Sequence, residues 1–249
     1  MEISLERDSC SVERETQYTL VGKILTEKML NRRGIMGVLQ SMWLKKEVKV
    51  IKEMSVNLYA ISFTNKQSME KALEKGPWSV MVNCLNLKKW DVKETIQEIS
   101  FSKVSFWIQV HKLPLEMLTR SNAEKIGKIL GDLEKIDDPT WLNGVGRSFL
   151  RMRIAVEIEK PLVAGFWVLR EDKRRVWVEV KYEKVVDFCF VCGKMGHVMK
   201  NCERGILEME KGEGRRRYGL WMKAAPLKEW EDEYRSKEGG GERGVGEKK

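Results

Sequence analysis

EVKVIKEMSVNLYAISF, residues 47–63, reads as two strands, since EVKVIKEM and NLYAISF are rich in β-branched and aromatic residues and only two residues separate them. So short a link permits an antiparallel hairpin and forbids the long crossover that a parallel pair needs. Before the hairpin, YTLVGKIL (18–25) is a further strand. Asn31 then precedes Ile35, Val38, Leu39, Met42 and Trp43, a stripe at spacings of three and four that predicts a helix with one face inward. After the hairpin, Asn65 opens a second helix carrying Met69, Ala72 and Leu73, stopped at Gly76-Pro77, and SVMVNCLNLKKW (79–90) closes the unit as a strand.

The order βαββαβ around an antiparallel hairpin implies one sheet with two helices on one face. This is an α+β fold of the ferredoxin-like kind, which the RNA-recognition motif (RRM) also uses, and it is assigned to residues 15–92. The likeness is one of topology. NLYAISF does not reproduce the base-stacking octamer: Leu58 stands for its glycine and Ile61 for an aromatic, which leaves Tyr59 and Phe63 as core residues.

Residues 101–186 predict a smaller βαββ layer. VSFWIQV (104–110) is a strand; Ser121 with Glu124 forms a capping box for a helix that turns Ala123, Ile126, Ile129, Leu130, Leu133 and Ile136 inward. Turns at Asp138-Pro139 and Asn143-Gly144 lead to RSFLRMRIAVEI (147–158) and RRVWVEVKYE (174–183). Alternation puts Val104, Phe106, Ile108 and Val110 on one face with Leu150, Met152, Ile154, Val176, Val178 and Val180. The opposite face receives Trp107 and Trp177 with Arg151, Arg153, Arg175 and Lys181. Aromatic rings stack bases and cations hold phosphates, so this face reads as a track for a single strand; the alternative is that the tryptophans pack against the first domain.

Three of five cysteines and one of two histidines fall in CFVCGKMGHVMKNC, residues 189–202. The spacing Cys189-x2-Cys192-x4-His197-x4-Cys202 offers three thiolates and an imidazole, the donors of a closed tetrahedral zinc site. Four protein ligands leave no position for an activated water, so one zinc ion here is structural. Gly193 permits the tight turn after the first pair, and Gly196 lets the backbone approach beside His197. The unit, residues 187–204, has almost no core of its own, so metal supplies its folding energy. Phe190 with Val198 or Met199 can form an apolar platform for an unstacked base, and Lys194 and Lys200 lie ready for phosphates; the same platform would also suit a protein partner.

The run CFVCGKMGHVMKNC resembles, almost position for position, the CCHC zinc knuckle of retroviral and retrotransposon nucleic-acid-binding proteins. EKGPWSVMVNCLNLKKW (74–90), FWIQVHKLPLE (106–116), VWVEVKYEKVVDFCFVCGKMGH (176–197) and YGLWMKA (218–224) extend it. Together they resemble a plant family in which a domain of unknown function precedes the knuckle, similar to the N-terminal parts of LINE-type retrotransposons, across residues 18–225. Family members often carry glycine where this chain has His111-Lys112. The resemblance implies zinc, nucleic-acid binding, RNA more than DNA, and a retrotransposon-derived, gag-like role.

Composition narrows the field further. Across 249 residues the formal net charge is +9, which favours an anionic partner, and 42% hydrophobic residues suffice for buried cores. The tail, 205–249, is glycine-rich with nearly balanced charges and predicts disorder, so the basic surplus belongs to the folded body. MEISLERDSC lacks the order of a secretory signal, and the longest apolar stretch, Pro161 to Leu169, is too short to span a bilayer. An odd cysteine count fits free thiols in cytoplasm or nucleus. Cys84 reads as buried and Cys10 as an exposed bystander. Arg215-Arg216-Arg217 reads as a solvated run. No phosphate loop or nucleophile elbow occurs, and His111, the one histidine outside the cluster, reads as structural, so the expectation is a non-enzymatic protein with self-association possible.

Overall fold

The computed structural model describes residues 3–4, 17–26, 28–91, 93–137, 147–186, 188–202 and 217–225. The turn residues Asp138-Pro139 and Asn143-Gly144, Cys10, Arg215-Arg216 and nearly all of the tail lie outside them.

The first domain is β1 (Thr19–Leu25), α1 (Arg32–Met42), β2 (Val48–Ser55), β3 (Leu58–Phe63), α2 (Lys66–Glu74), β4 (Trp78–Val80) and β5 (Asn83–Lys89). Its sheet order is β2-β3-β1-β5-β4, all antiparallel, the ferredoxin-like arrangement with a short strand added at one edge. Asn31 and Asn65 cap the helices as the sequence predicts, their side chains accepting from Gly34 N at 3.2 Å and Ser68 N at 2.9 Å. Leu20, Ile24, Tyr59, Ile61 and Leu85 turn toward Ile35, Leu39, Met69 and Ala72 in one core, so Tyr59 and Phe63 are core residues. The single strand expected over 79–90 is instead a hairpin, β4–β5, turning at Met81-Val82 with φ of 49° and 70°. Neither residue is a turn former, so no local signal marks the turn.

The middle of the sheet's other face is covered by the chain itself. Ile99 and Phe101, from the connection to the second domain, pack on Val21 with Leu58 and Trp90. The middle of the surface on which an RRM stacks bases is therefore covered, while Val50 and Lys52 on the same face stay exposed.

The second domain comprises β6 (Lys103–His111), α3 (Arg120–Leu130), β7 (Asp132–Asp137), β8 (Phe149–Glu157), β9 (Gly165–Leu169), β10 (Arg175–Glu183) and β11 (Lys223–Ala224). The order β11-β10-β6-β8-β7, with β9 also on β10, repeats the ferredoxin-like core order in β10-β6-β8-β7. The layer is thus larger than the expected βαββ. The second helix of that fold is absent among the described residues. The face that α3 covers is shared instead by Phe188, Met195, Tyr218 and Met222.

Three expectations change here. Ile129, expected inward, is 80% exposed. The α3 cap is Thr119, whose hydroxyl accepts from Asn122 N at 3.2 Å, and not a Ser121/Glu124 box. Thr119 is extended and stands one residue beyond a 3-10 turn at Leu115–Met117, so the helix starts at Arg120, before Ser121 can cap it. The helix also ends at Leu130, so Leu133 and Ile136 belong to β7. At Gly131 a Cβ would lie 2.5 Å from the Ala155 carbonyl oxygen, so only glycine fits where the chain turns onto β8. A register shift between Leu133 and Lys135 then lets Leu133 and Ile136 face the same core from a strand, mimicking helical spacing.

Candidate metal centre and nucleic-acid surface

The main chain between Cys189 and Gly193 folds into a tight turn: Gly193 N donates to Cys189 O at 2.8 Å, and Cys189 N donates to Lys194 O at 2.8 Å. Gly193 and Gly196 adopt φ of +75° and +85°, the left-handed region that glycine enters without strain. A 3-10 turn at Met199–Asn201 then delivers Cys202, whose N–H donates to Met199 O at 3.2 Å.

The donor atoms of Cys189, Cys192, His197 and Cys202 all lie within 4.8 Å of one another, with Cys192 Sγ 3.3 Å from His197 Nε2. Zinc with Zn–S bonds of about 2.3 Å sets sulfurs about 3.8 Å apart, so the group fits a tetrahedral ion. All three cysteines are buried, and Val191 N donates to Cys189 Sγ at 3.4 Å. Burial pushes the Cys189 thiol up to about 11, so a bound cation is what makes its thiolate the favoured form.

The segment's own apolar cluster is only the three cysteines and Val191, in line with the expectation of a minimal core. It is nonetheless anchored. Phe188 and Met195 enter the core of the second domain, and Leu162 N donates to Gly193 O at 2.9 Å. Phe190 is half-buried, edge-on to Phe188 with centroids 5.0 Å apart, and is thus partly spent on packing. Val198 and Lys200 are exposed, Met199 and Lys194 half-exposed. Beside the cluster runs a groove of 530 Å³ bounded by Lys23, Leu25, Glu159, Lys194, His197 and Asn201. Lys23 comes from β1 of the first domain, a contribution that no local sequence signal announces.

The expected track divides. Trp107 is only 8% exposed, and its Nε1 donates to Glu74 O at 3.3 Å. Arg153 donates to the carbonyls of Leu73 at 2.8 Å and Glu74 at 2.7 Å and pairs with Glu134 at 3.1 Å. Lys184 Nζ reaches the Lys75 carbonyl in the same cap. These groups satisfy the open carbonyls at the C-terminus of α2, where the helix dipole favours cations, and so join the two domains. Arg151 lies 3.8 Å over the Trp107 ring, with its guanidinium forked onto Glu183 at 2.8 and 2.9 Å and touching Asp137 at 3.0 Å. Trp107, Arg151 and Arg153 are therefore junction and core residues, corrected from an open face. Their charges and donors are already engaged by carboxylates, carbonyls and the Trp107 ring.

Arg175, Trp177 and Lys181 remain on the accessible part of that face, and Trp177 meets Trp167 edge-on at 5.2 Å. Trp167 comes from β9, a strand that the βαββ pattern read from the sequence does not include.

A family model described as a domain of unknown function (DUF4283) matches residues 12–98, and one described as a zinc knuckle matches residues 156–204. The chain thus carries a DUF4283 domain followed by a zinc knuckle. It is similar to solved structures of RNA recognition domains 1 and 2 of Sex-lethal from Drosophila melanogaster, at 15% identity over 55% of this chain and 84% of that one, TM-score 0.25. It is also similar to the N-terminal three RNA binding domains of the yeast splicing factor Prp24, at 16% identity over 67% and 66%, TM-score 0.26. A third is the first two RRM domains of the yeast poly(U) binding protein Pub1, at 10% identity over 66% and 98%, TM-score 0.23. No curated protein matches the chain.

Proposed function

We propose that the protein binds single-stranded nucleic acid, RNA in preference to DNA, through a knuckle held in shape by one structural zinc ion. The observation that carries this reading is the Cys3His cluster set beside a groove whose rim includes Lys23 and Lys194. Bound zinc would fix the turn that presents Val198, Met199 and Lys200, while the chain's own lysines supply attraction for phosphates. Four protein ligands fit a structural and not a hydrolytic metal, and we assign no enzymatic activity. A retrotransposon-derived, gag-like role in a plant, in nucleus or cytoplasm and with self-association, agrees with the sequence resemblance and with the DUF4283–knuckle order.

The test is binding of fluorescent oligo(U) and oligo(dT) across salt, with and without a chelator and with Cys192→Ser. Affinity should fall steeply with salt, be higher for oligo(U), and drop when zinc is removed. Binding indifferent to zinc sinks the knuckle assignment, and no binding at low salt leaves protein–protein adaptation as the better account.

A further inference from the structure

We propose that the β9–β10 hairpin is a second contact for the same single strand, with Trp167 and Trp177 stacking bases and Arg175 and Lys181 holding phosphates; this rests on the nucleic-acid reading above. The register pairs Trp167 with Trp177 and Leu169 with Arg175, so all four side chains stand on one face. The other face of β10 anchors the hairpin, since Val178 and Val180 are fully buried in the core. Anchorage therefore does not require the rings, which are 62% exposed at Trp167 and 40% at Trp177.

Trp177 is held in place from below. It lies so close over Gly165 that a Cβ there would stand 2.6 Å from the indole. The two indoles meet at 67°, offering two preset aromatic faces at low entropic cost. Packing of one ring on the other accounts for their contact, but not for the open faces.

Charge selects the partner. The two acids on this stripe of β10 are already engaged: Glu179 pairs with Lys112 and Lys181, and Glu183 with Arg151. At the hairpin end four cations, Arg170, Lys173, Arg174 and Arg175, outnumber two acids, Glu171 and Asp172, and Asp172 is taken by Arg174 with Arg170 acting on it as well. Exposed indoles flanked by spare cations match a single-stranded polyanion, in which every base offers a face to stack. An acidic protein ligand is the outcome that would replace it.

The experiment uses the full, zinc-loaded chain and a single-stranded oligonucleotide carrying 5-iodouridine. Photocrosslinks should map to the peptides of Trp167 and Trp177. W167A/W177A should weaken binding roughly ten- to a hundred-fold with zinc content unchanged. R175Q/K181Q, which keeps the rings and guards against misfolding of the tryptophan variant, should lower the salt slope by about 1.4. Unchanged affinity and slope in both, with crosslinks elsewhere, overturn the proposal. Loss of binding by Cys192→Ser alone leaves the knuckle reading and removes the hairpin. Loss by the hairpin variants alone does the reverse, and a wild-type chain that binds nothing removes both.

Discussion

Tyr218 closes over Gly193 so tightly that a Cβ at the glycine would lie 2.5 Å from Tyr218 Cζ. The metal turn is thereby held from two sides, by Leu162 before it and by the segment that runs through Met222 into β11 after it. Gly193→Ala should combine left-handed strain with this clash and reduce zinc affinity by on the order of 100-fold in chelator competition. Gly196→Ala is the control: it shares the positive φ but has open space around its Cβ, so a loss of about 10-fold is expected. Adding Tyr218→Ala to Gly193→Ala should recover part of the difference. Equal losses for the two glycines would show that the tyrosine contact is immaterial.

Arg153 should behave as a clamp between domains. Its side chain is 12% exposed and donates to the carbonyls that end α2, so removing it leaves several part-buried acceptors without their donor. Arg153→Gln should cost about 2–4 kcal/mol in denaturant unfolding. Oligonucleotide affinity per folded molecule should stay near wild type. A stable variant with weakened binding would return Arg153 to the nucleic-acid surface.

The sequence revealed what local rules control. Asn31 and Asn65 cap helices, the 47–63 hairpin pairs as its short link requires, and the Cys/His spacing brings four donors together. It misled where tertiary contacts dominate. Leu133 and Ile136 keep helical spacing inside a bulged strand, and Gly131 gives no hint of the carbonyl beside it. Alternation correctly set Trp107, Arg151 and Arg153 opposite the core of their own sheet, but periodicity cannot distinguish a face open to solvent from one packed on another domain. Lys23 is illegible for a related reason, since the groove it joins is assembled from distant segments, whereas Trp167 lies on β9, a short strand without clear alternation.

His111 supplies a pH test. Gln109 Nε2 donates to Glu183 at 2.6 Å and to Ala225 O at 3.1 Å, which leaves its Oε1 to accept from His111 Nε2 at 2.9 Å. The imidazole is stacked on Phe149 at 4.7 Å and works as a neutral donor. Burial holds its pKa below the ordinary value, Lys181 and Lys112 act in the same direction, and Glu179 opposes them. The unfolded chain therefore takes up the proton more readily than the folded one. The stabilising contribution is complete above the unfolded pKa of about 6.5 and is lost as pH falls below it. Thermal midpoints between about pH 7.5 and pH 5 should fall further for wild type than for His111→Gln, and parallel curves would refute the assignment.

Val82 offers a prediction of the opposite sign. It is a β-branched residue at φ 70°, 73% exposed, at the tip of the β4–β5 hairpin, so its side chain brings strain with little packing in return. Glycine at the second central position of such a turn removes the steric cost, partly offset by the greater freedom it gives the unfolded chain. Val82→Gly should raise stability by about 0.5–1 kcal/mol without altering zinc content, measured by chemical denaturation. Met81 also takes a positive φ of 49°, but its side chain lies against α1, where its Cε would stand 3.3 Å from a Cβ on Gly34. Met81→Gly should therefore gain less, because it gives up that contact. A destabilised Val82→Gly chain would mean that the valine makes an exposed contact whose loss outweighs the relief of backbone strain.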